Sequence, residues 1–586
     1  MGSLPVAVGL SVFASVRALA AASAPATATE TLAGLPLARL LLVAAAALAV
    51  GVLLRLGRPT DTWDRALRTR LLYGVPWGTL LVVAGLLAVY YGLQGGHAEP
   101  TAPVVLPFRA WSYFDPTGLL ASSFAHASLG HLTGNLLATL ALGSLAEYVW
   151  GHHGERPASP QADGRIGRLW TRPAVRALVV FPAAVLAVGV AASLLTLGPV
   201  IGFSTVVFAF AGFTLVRYPL ATVVAGVAAS ALGTVVAALR VPQEVFVAEV
   251  GYSTPWFAST AIQAHAVGLF VGVLLGLALL RHRGEQPPPA NRLWLGVLLF
   301  GLSRSLWAVY WYRGNDSYVL YRAVGVALVF VLVALVTYAV LAADRPLFPE
   351  RAVAAPETIR AALASITPRE VGLLVLVCAG AVVVGPAVAV NLTTADDAAL
   401  PGDPIEIRGY EVTYGEDVPD GQLRAVDVEA AGETTRLNTS GVIVRHAERE
   451  IWTTPISRGE LADSGEVDLQ LGGIGWRETV TVSREGWQPV GSEATYRVLL
   501  EHDGDRRVAY TAPTARAESI LAGSRVSITP TADGFVVGVD DGRGVVTEPL
   551  PAANESVAVG GLEISNDGDR LIARVDETAV RIATRE

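Results

Sequence analysis

Lysine is absent from this chain of 586 residues: every one of its 43 basic side chains is Arg. Cysteine is almost absent as well. Cys378 stands alone in an apolar run, which excludes a disulfide framework and any zinc site built on Cys. Charge is scarce, at 16% of residues against 52% hydrophobic, and mean hydropathy is +0.48. Soluble globular domains carry about 25% charged residues, so this composition is that of a polytopic membrane protein.

The few charges are unevenly placed. From residue 395 onward 35 carboxylates face 18 Arg, a net of −17; the whole chain is −8, so the first 394 residues carry +9. An acidic part without Lys suits a salt-rich milieu, because carboxylates hold hydration while Lys offers a long apolar stem. A halophilic archaeal source fits this, although a GC-rich genome also favours Arg over Lys. No feature of the charge pattern points to nucleic acid.

Crossing a hydrocarbon core of ~30 Å takes about 20 apolar residues. Such runs lie at 35–56, 72–93, 126–149, 174–196, 220–239, 259–281, 291–311, 320–342 and 369–391, with a shorter one at 201–216. Residues 4–22 read either as a further span or as a signal peptide cut near Ala22–Ala24. Arg is concentrated in the connections 55–70, 156–176, 217, 281–292 and 345–369, which places those inside. Segments 94–125, 197–203, 240–258 and 312–319 then fall outside, with everything after 391. The sequons at Asn315, Asn391, Asn438 and Asn554 all fall on that outer side.

Beyond 395 the texture becomes short, β-branched and turn-punctuated, as in Gly534-Phe-Val-Val-Gly-Val followed by Asp541-Gly-Arg-Gly. An all-β extracellular domain is expected there, built as two small sandwiches.

Ionisable groups inside a bilayer are costly and mark function by default. His126, His131 and His265 lie in or at the apolar runs. In Ala125-His126-Ala-Ser-Leu-Gly-His131-Leu-Thr-Gly-Asn135 the four-residue step from His131 to Asn135 puts both on one helix face. Both donate hydrogen bonds, which is the equipment of an oxyanion hole. For a single such His, a polar contact between helices is the commoner use.

Gly202-Phe203-Ser204-Thr205 opens the short run, after Gly198 and Pro199 permit a non-helical entry. Ser204 taken alone reads equally as a helix N-cap. In Ala264-His265-Ala-Val-Gly268-x-x-x-Gly272-x-x-x-Gly276 the glycines form a groove that admits a neighbouring helix beside His265. A general base must come within about 3 Å of the hydroxyl it activates, and such a groove permits that contact with the Ser204 helix. The runs contain no interior Asp, and Glu147 closes its run at the inner end, so a Ser–His dyad is expected rather than a triad. The absence of His-Glu-x-x-His and of paired intramembrane aspartates argues against metallo- and aspartyl proteolysis.

Together the His126…His131…Asn135, Gly202-x-Ser204 and Ala264-His265-x-x-Gly268-x-x-x-Gly272 blocks resemble those of rhomboid intramembrane serine proteases, over roughly residues 72–281. The resemblance implies Ser204 as nucleophile and His265 as general base. His131, Asn135 and the Ser204 backbone N–H would form the oxyanion hole, supported by His126, with no cofactor and no metal. Phe208 stands where the family often has an aromatic Tyr on the catalytic imidazole. Glu147 is similar to the acidic residue closing the same family helix. Two departures are Thr205, where the family usually has Gly, and Arg109-Ala-Trp111-Ser, where it often has Trp-Arg.

The expected architecture is an all-α polytopic membrane protein with a six-helix rhomboid core, flanking helices and a C-terminal extracellular all-β domain. Its parts are 1–71 (N-terminal hydrophobic segments), 72–281 (core), 282–394 (three further helices) and 395–586 (the acidic β-rich part). The expected partners are transmembrane protein substrates, the lipid bilayer and a surface partner of the C-terminal domain. Trp256 and Phe257 are candidate gate residues, or equally members of an interfacial aromatic belt. A non-proteolytic binder or quality-control factor is the alternative function. A transporter is more distant, since the polar residues cluster at one surface rather than at midplane.

Overall fold

In a computed structural model of the chain, the described residues are 28–57, 61–151, 172–243, 251–343, 345, 347, 366–395, 398–422, 429–430 and 432–586. The ambiguous segment 4–22 lies outside them, as do most of the connections 156–176 and 345–369 and residues 244–250 of the expected cap. Helices α1 (Ala28–Gly57) and α2 (Asp61–Arg70) come first. They are followed by α3 (Trp77–Ala88, continued by a π turn at Val89–Leu93), α4 (Leu129–Trp150) and α5 (Pro173–Leu195). Next come α6 (Ser204–Leu215), α7 (Pro219–Arg240), α8 (Ile262–His282), α9 (Ala290–Ser303), α10 (Arg322–Leu341) and α11 (Pro368–Asn391). Pro opens α5, α7 and α11, where its missing N–H costs nothing. At α11, Thr367 and Glu370 close a reciprocal capping box.

Among the described residues six helices, α4, α5, α7, α8, α10 and α11, are long and apolar enough to cross a membrane. The apolar stretches Leu37–Val52, Trp77–Leu93, Ser204–Leu215 and Ala290–Ser303 are shorter. The expected run 35–56 lies within α1, whereas runs 72–93 and 291–311 are cut back. Run 72–93 loses its first turn because Tyr73 and Gly74 take positive φ and Pro76 precedes the helix. Run 291–311 ends at Ser303, because Arg304 reaches across to α7, donating to Ser230 Oγ at 3.0 Å and to the Gly226 carbonyl. Ser305 then takes φ 57°, and Tyr310–Tyr312 pairs with Tyr318–Leu320 as a hairpin.

The C-terminal part is antiparallel and β-rich. One four-stranded sheet covers Ile405–Ile407, Tyr410–Pro419, Asn438–His446 and Ile451–Ser457. A second four-stranded sheet runs from Ala515 to Pro549. Between them an eight-stranded sheet curves as a half-barrel, and its longest strand is Trp476–Pro489. That strand replaces the expected division into two sandwiches. Val480 and Val482 lie in one apolar core, while Trp487 lies in the next. Its fourteen residues are long enough for both cores to hang on one seam.

The β-rich part docks on the end of the bundle that carries Ser204. Leu106 and Trp111, from the connection between α3 and α4, enter its first core. Arg449 donates to the Pro107 carbonyl at 2.6 Å and pairs with the buried Asp115 at 3.3 Å. Burial raises the Asp115 carboxyl above its ordinary pKa, and Arg449 opposes that rise. The 310–320 hairpin is held by Arg313, whose guanidinium grips Glu433 at 2.8 and 2.6 Å as a fork. Of the sequon asparagines, Asn315, Asn438 and Asn554 are exposed. Asn391 is buried with its amide hydrogen-bonded inside the fold, so that sequon is not an accessible acceptor.

Candidate active site

The site begins with the crossing of α6 and α8. A Cβ added at Gly268 would overlap the Thr205 carbonyl oxygen, one at Gly272 that of Ala209, and one at Gly212 that of Leu269. At Gly276 it would lie 2.7 Å from the Phe213 carbonyl oxygen. The two backbones therefore touch along the whole glycine groove, an approach that only Gly permits. At the top of that groove Ser204 Oγ and His265 Nε2 stand 3.0 Å apart, at hydrogen-bond distance. Phe208, one turn along α6, stacks flat on the imidazole, with ring centroids 4.1 Å apart and planes 9° from parallel. Phe300 of α9 meets Phe208 edge-on at 5.5 Å, closing the stack from behind. The sequence had singled out Phe208 for this place; Phe300 it had not.

Ser204 is the first residue of a 12-residue helix, which rises ~18 Å. That is well short of a ~30 Å hydrocarbon core, and Ser204 lies level with the first turns of α4 and α8, which carry His131 and His265. The chain reaches this level through Gly202, at φ 120°, and hydrogen-bonds Gly202 N to the Ser122 carbonyl at 2.8 Å. The positive φ thus falls two residues before Ser204. Thr205 is buried as the second residue of a regular helix, a conformation open to a β-branched side chain.

His131 and Asn135 lie on α4, which starts at Leu129 with Ser128 as N-cap, its Oγ accepting from His131 N at 3.1 Å. The His131 ring lies against Gly202, where a Cβ would overlap it. Asn135 sits one turn on along the same face, buried, with its Nδ2 unpartnered among the described residues. His126 precedes the helix rather than lying in it, fully buried, with its ring 5.2 Å edge-on from that of His131. Its backbone N–H donates to Gln94 Oε1 at 2.8 Å, and Gln94 Nε2 donates back to its carbonyl at 2.8 Å.

Glu147 is buried at the opposite end, where it accepts from the N–H groups of Gly78 at 3.0 Å and Thr79 at 2.7 Å. A carboxylate there satisfies the first free amides of α3 and suits the helix dipole. Trp256 and Phe257, in the segment before α8, pack edge-on with each other; Trp256 meets Trp307 edge-on and Phe257 meets Tyr310 at a tilt of 50°. They are therefore joined to the hairpin side of the bundle, with Trp256 53% exposed.

Residues the sequence did not single out also shape the site. Gln94 holds the His126 backbone. Ser122, Ser123 and Ser193 form a hydroxyl cluster, at 2.8 and 2.9 Å, behind the Gly202 turn. Gln263 and Asn391 grip the segment leading to Ser204. The only available signal was that each is polar at the end of an apolar run.

For a metal, Glu478, His502 and Asp503 bring ligand atoms within 4.8 Å of one another among the described residues. They lie in the β-rich part, where Arg408 already contacts Glu478 at 3.5 Å and His502 Nδ1 contacts the Thr479 carbonyl at 3.1 Å. No family model matches the chain, and neither a curated protein nor a solved structure matches it.

Proposed function

We propose that this protein is an intramembrane serine endopeptidase of the rhomboid type, acting on transmembrane segments of other membrane proteins. The observation that carries the proposal is the 3.0 Å contact of Ser204 Oγ with His265 Nε2, held by two helices in backbone contact. A hydroxyl paired with an imidazole, beside Asn135 Nδ2 with no other partner among the described residues, is the equipment of acyl transfer.

With its proton on Nδ1, His265 accepts the Ser204 hydroxyl proton at Nε2 as Oγ attacks the substrate carbonyl carbon. The Ser204 backbone N–H, Asn135 Nδ2 and His131 donate to the oxyanion that forms. Collapse breaks the C–N bond, and His265 passes its proton to the leaving amine. Water, deprotonated by the same imidazole, then attacks the acyl-enzyme and frees Ser204. His265 Nδ1 has no partner among the described residues, in keeping with a dyad. Phe208 keeps the ring in plane in place of an orienting carboxylate.

In this proposal the Ser204 end of the bundle faces outward, the β-rich part is extracellular, and substrates enter past α7 and the 251–260 segment. Cleavage of a co-expressed transmembrane substrate, together with labelling of Ser204 by a fluorophosphonate, tests it. Ser204→Ala and His265→Ala are expected to abolish both while the protein remains folded. Undiminished cutting by either variant would overturn the assignment.

A further inference from the structure

Between the end of α5 at Leu195 and the Gly202 turn, the chain is neither helix nor ladder until Val200 bridges to Ala110. Its backbone polar groups need partners, since a buried N–H or C=O left unpaired is costly. Two side-chain amides provide them. Asn391, the last residue of α11 and only 2% exposed, accepts from Gly198 N at 3.1 Å and donates to the Thr196 carbonyl at 2.8 Å. Gln263, two residues before His265, accepts from Leu197 N at 3.0 Å and donates to the Leu195 carbonyl at 3.2 Å. Four consecutive residues are thus held by two amides, each offering a donor and an acceptor on separate atoms.

Gln263 through its side chain, and Asn391 through its backbone carbonyl, each tie in a second element. Gln263 Nε2 donates to the Val383 carbonyl of α11 at 3.0 Å. The Asn391 carbonyl accepts from Tyr113 N at 2.8 Å and Ser112 Oγ at 3.2 Å in the connection between α3 and α4. Gly198 lies in the middle of this clasp. A Cβ there would stand 2.5 Å from the Ala110 carbonyl oxygen and 3.2 Å from Asn391 Oδ1.

From these bonds we infer that Asn391 and Gln263 are positioning residues, which set the course of 195–198 and so place Ser204 against His265. The inference rests on the proposed protease reaction. It makes α11 part of the reacting unit, with Asn391 serving as a structural amide inside a sequon-like Asn-Leu-Thr. A shift of about 1 Å in a reacting group costs on the order of 100-fold in rate. Loss of the clasp is therefore expected in kcat rather than in KM.

The test uses the full chain in liposomes with a transmembrane model substrate. Asn391→Leu and Gln263→Leu are expected to lower kcat and the rate of fluorophosphonate labelling at Ser204 in parallel, by about 10- to 100-fold, with KM within about threefold. Asn391→Asp keeps the acceptor for Gly198 N but turns an oxygen toward the Thr196 carbonyl. Its activity relative to wild type is expected to rise as pH falls and its carboxyl gains a donor proton. With rates normalised to the folded fraction at each pH, a residue acting only in folding would not produce that pH-dependent ratio. Should Asn391→Leu fail to fold, Gln263→Leu and the Asn391→Asp ratio decide. Wild-type kcat and labelling rates in the Leu variants, or a flat ratio in Asn391→Asp, overturn the positioning role while wild type still cleaves. If wild type itself neither cleaves nor labels, the protease proposal falls and this inference falls with it.

Discussion

The crossing of α6 and α8 and the long strand Trp476–Pro489 each hold one half of the molecule together, by opposite means. At the crossing, glycines let carbonyl oxygens of one helix rest on the α carbons of the other. Along the strand, side chains such as Val480 and Val482 fill a core while backbone groups pair in ladders on either side. Contact between backbones leaves no slack for an added atom. Contact between side chains gives a graded response, because a truncated residue leaves a cavity that neighbours partly close.

The largest expected effect breaks the first half of that comparison. Gly272→Leu should force α8 off α6, separate His265 from Ser204 and remove cleavage and Ser204 labelling altogether. Gly385→Ala on α11, where a Cβ meets nothing within 4 Å, should stay within about 0.5 kcal/mol of wild type. Thermal melts and labelling rates of the two variants check the contrast; equal behaviour would remove the backbone-contact account.

A smaller effect is expected in the second half. Ile564, fully buried in the core shared with Trp487, should cost about 2–5 kcal/mol as Ile564→Ala. Denaturant unfolding followed by Trp fluorescence would measure it, with Ser204 labelling of the folded protein unchanged. A loss of labelling in proportion to stability would show instead that the two halves unfold as one.

The smallest effect concerns the joint between the halves. The side-chain hydrogen bonds from Arg313 and Tyr321 hold the Glu433 carboxyl down at about 2, against an ordinary value of 4.5. A carboxyl with a lowered folded pKa contributes stability that is fully present above its unfolded pKa and is lost as pH falls through the folded one. Docking of the 310–320 hairpin should therefore weaken between about pH 4.5 and pH 2, and Glu433→Gln should flatten that part of the profile. Hydrogen exchange of residues 310–320 across this range reads it directly; an identical profile in the variant would remove Glu433 from the joint.

Much of the site was legible before folding was considered. His131 and Asn135 are four apart, Gly268, Gly272 and Gly276 are spaced at four, and Ser204 follows a Gly/Pro break; each is a local pattern that helix geometry converts into a common face. The residues that escaped are those whose partners are remote in the chain. Gln94 and His126 are 32 residues apart, Gln263 and Val383 are 120 apart, and Asn391 and Gly198 are 193 apart. The same holds for Arg449 on Asp115, across 334 residues. No periodicity encodes such pairings, and a polar residue at the end of an apolar run looks the same whether it meets water or a buried backbone.

By itself, then, the sequence determined the apolar helices, the change to β structure after residue 395 and the residue types capable of chemistry at one end of the bundle. Those follow from composition, period and spacing, which act over a few turns of chain. The tertiary structure alone decided that Ser204 meets His265 at 3.0 Å, that two distant amides hold the approach to Ser204, and that the β-rich part sits on that same end. Each of these depends on which surfaces find one another when backbone polar groups must all be satisfied away from water, and that is a property of the whole fold.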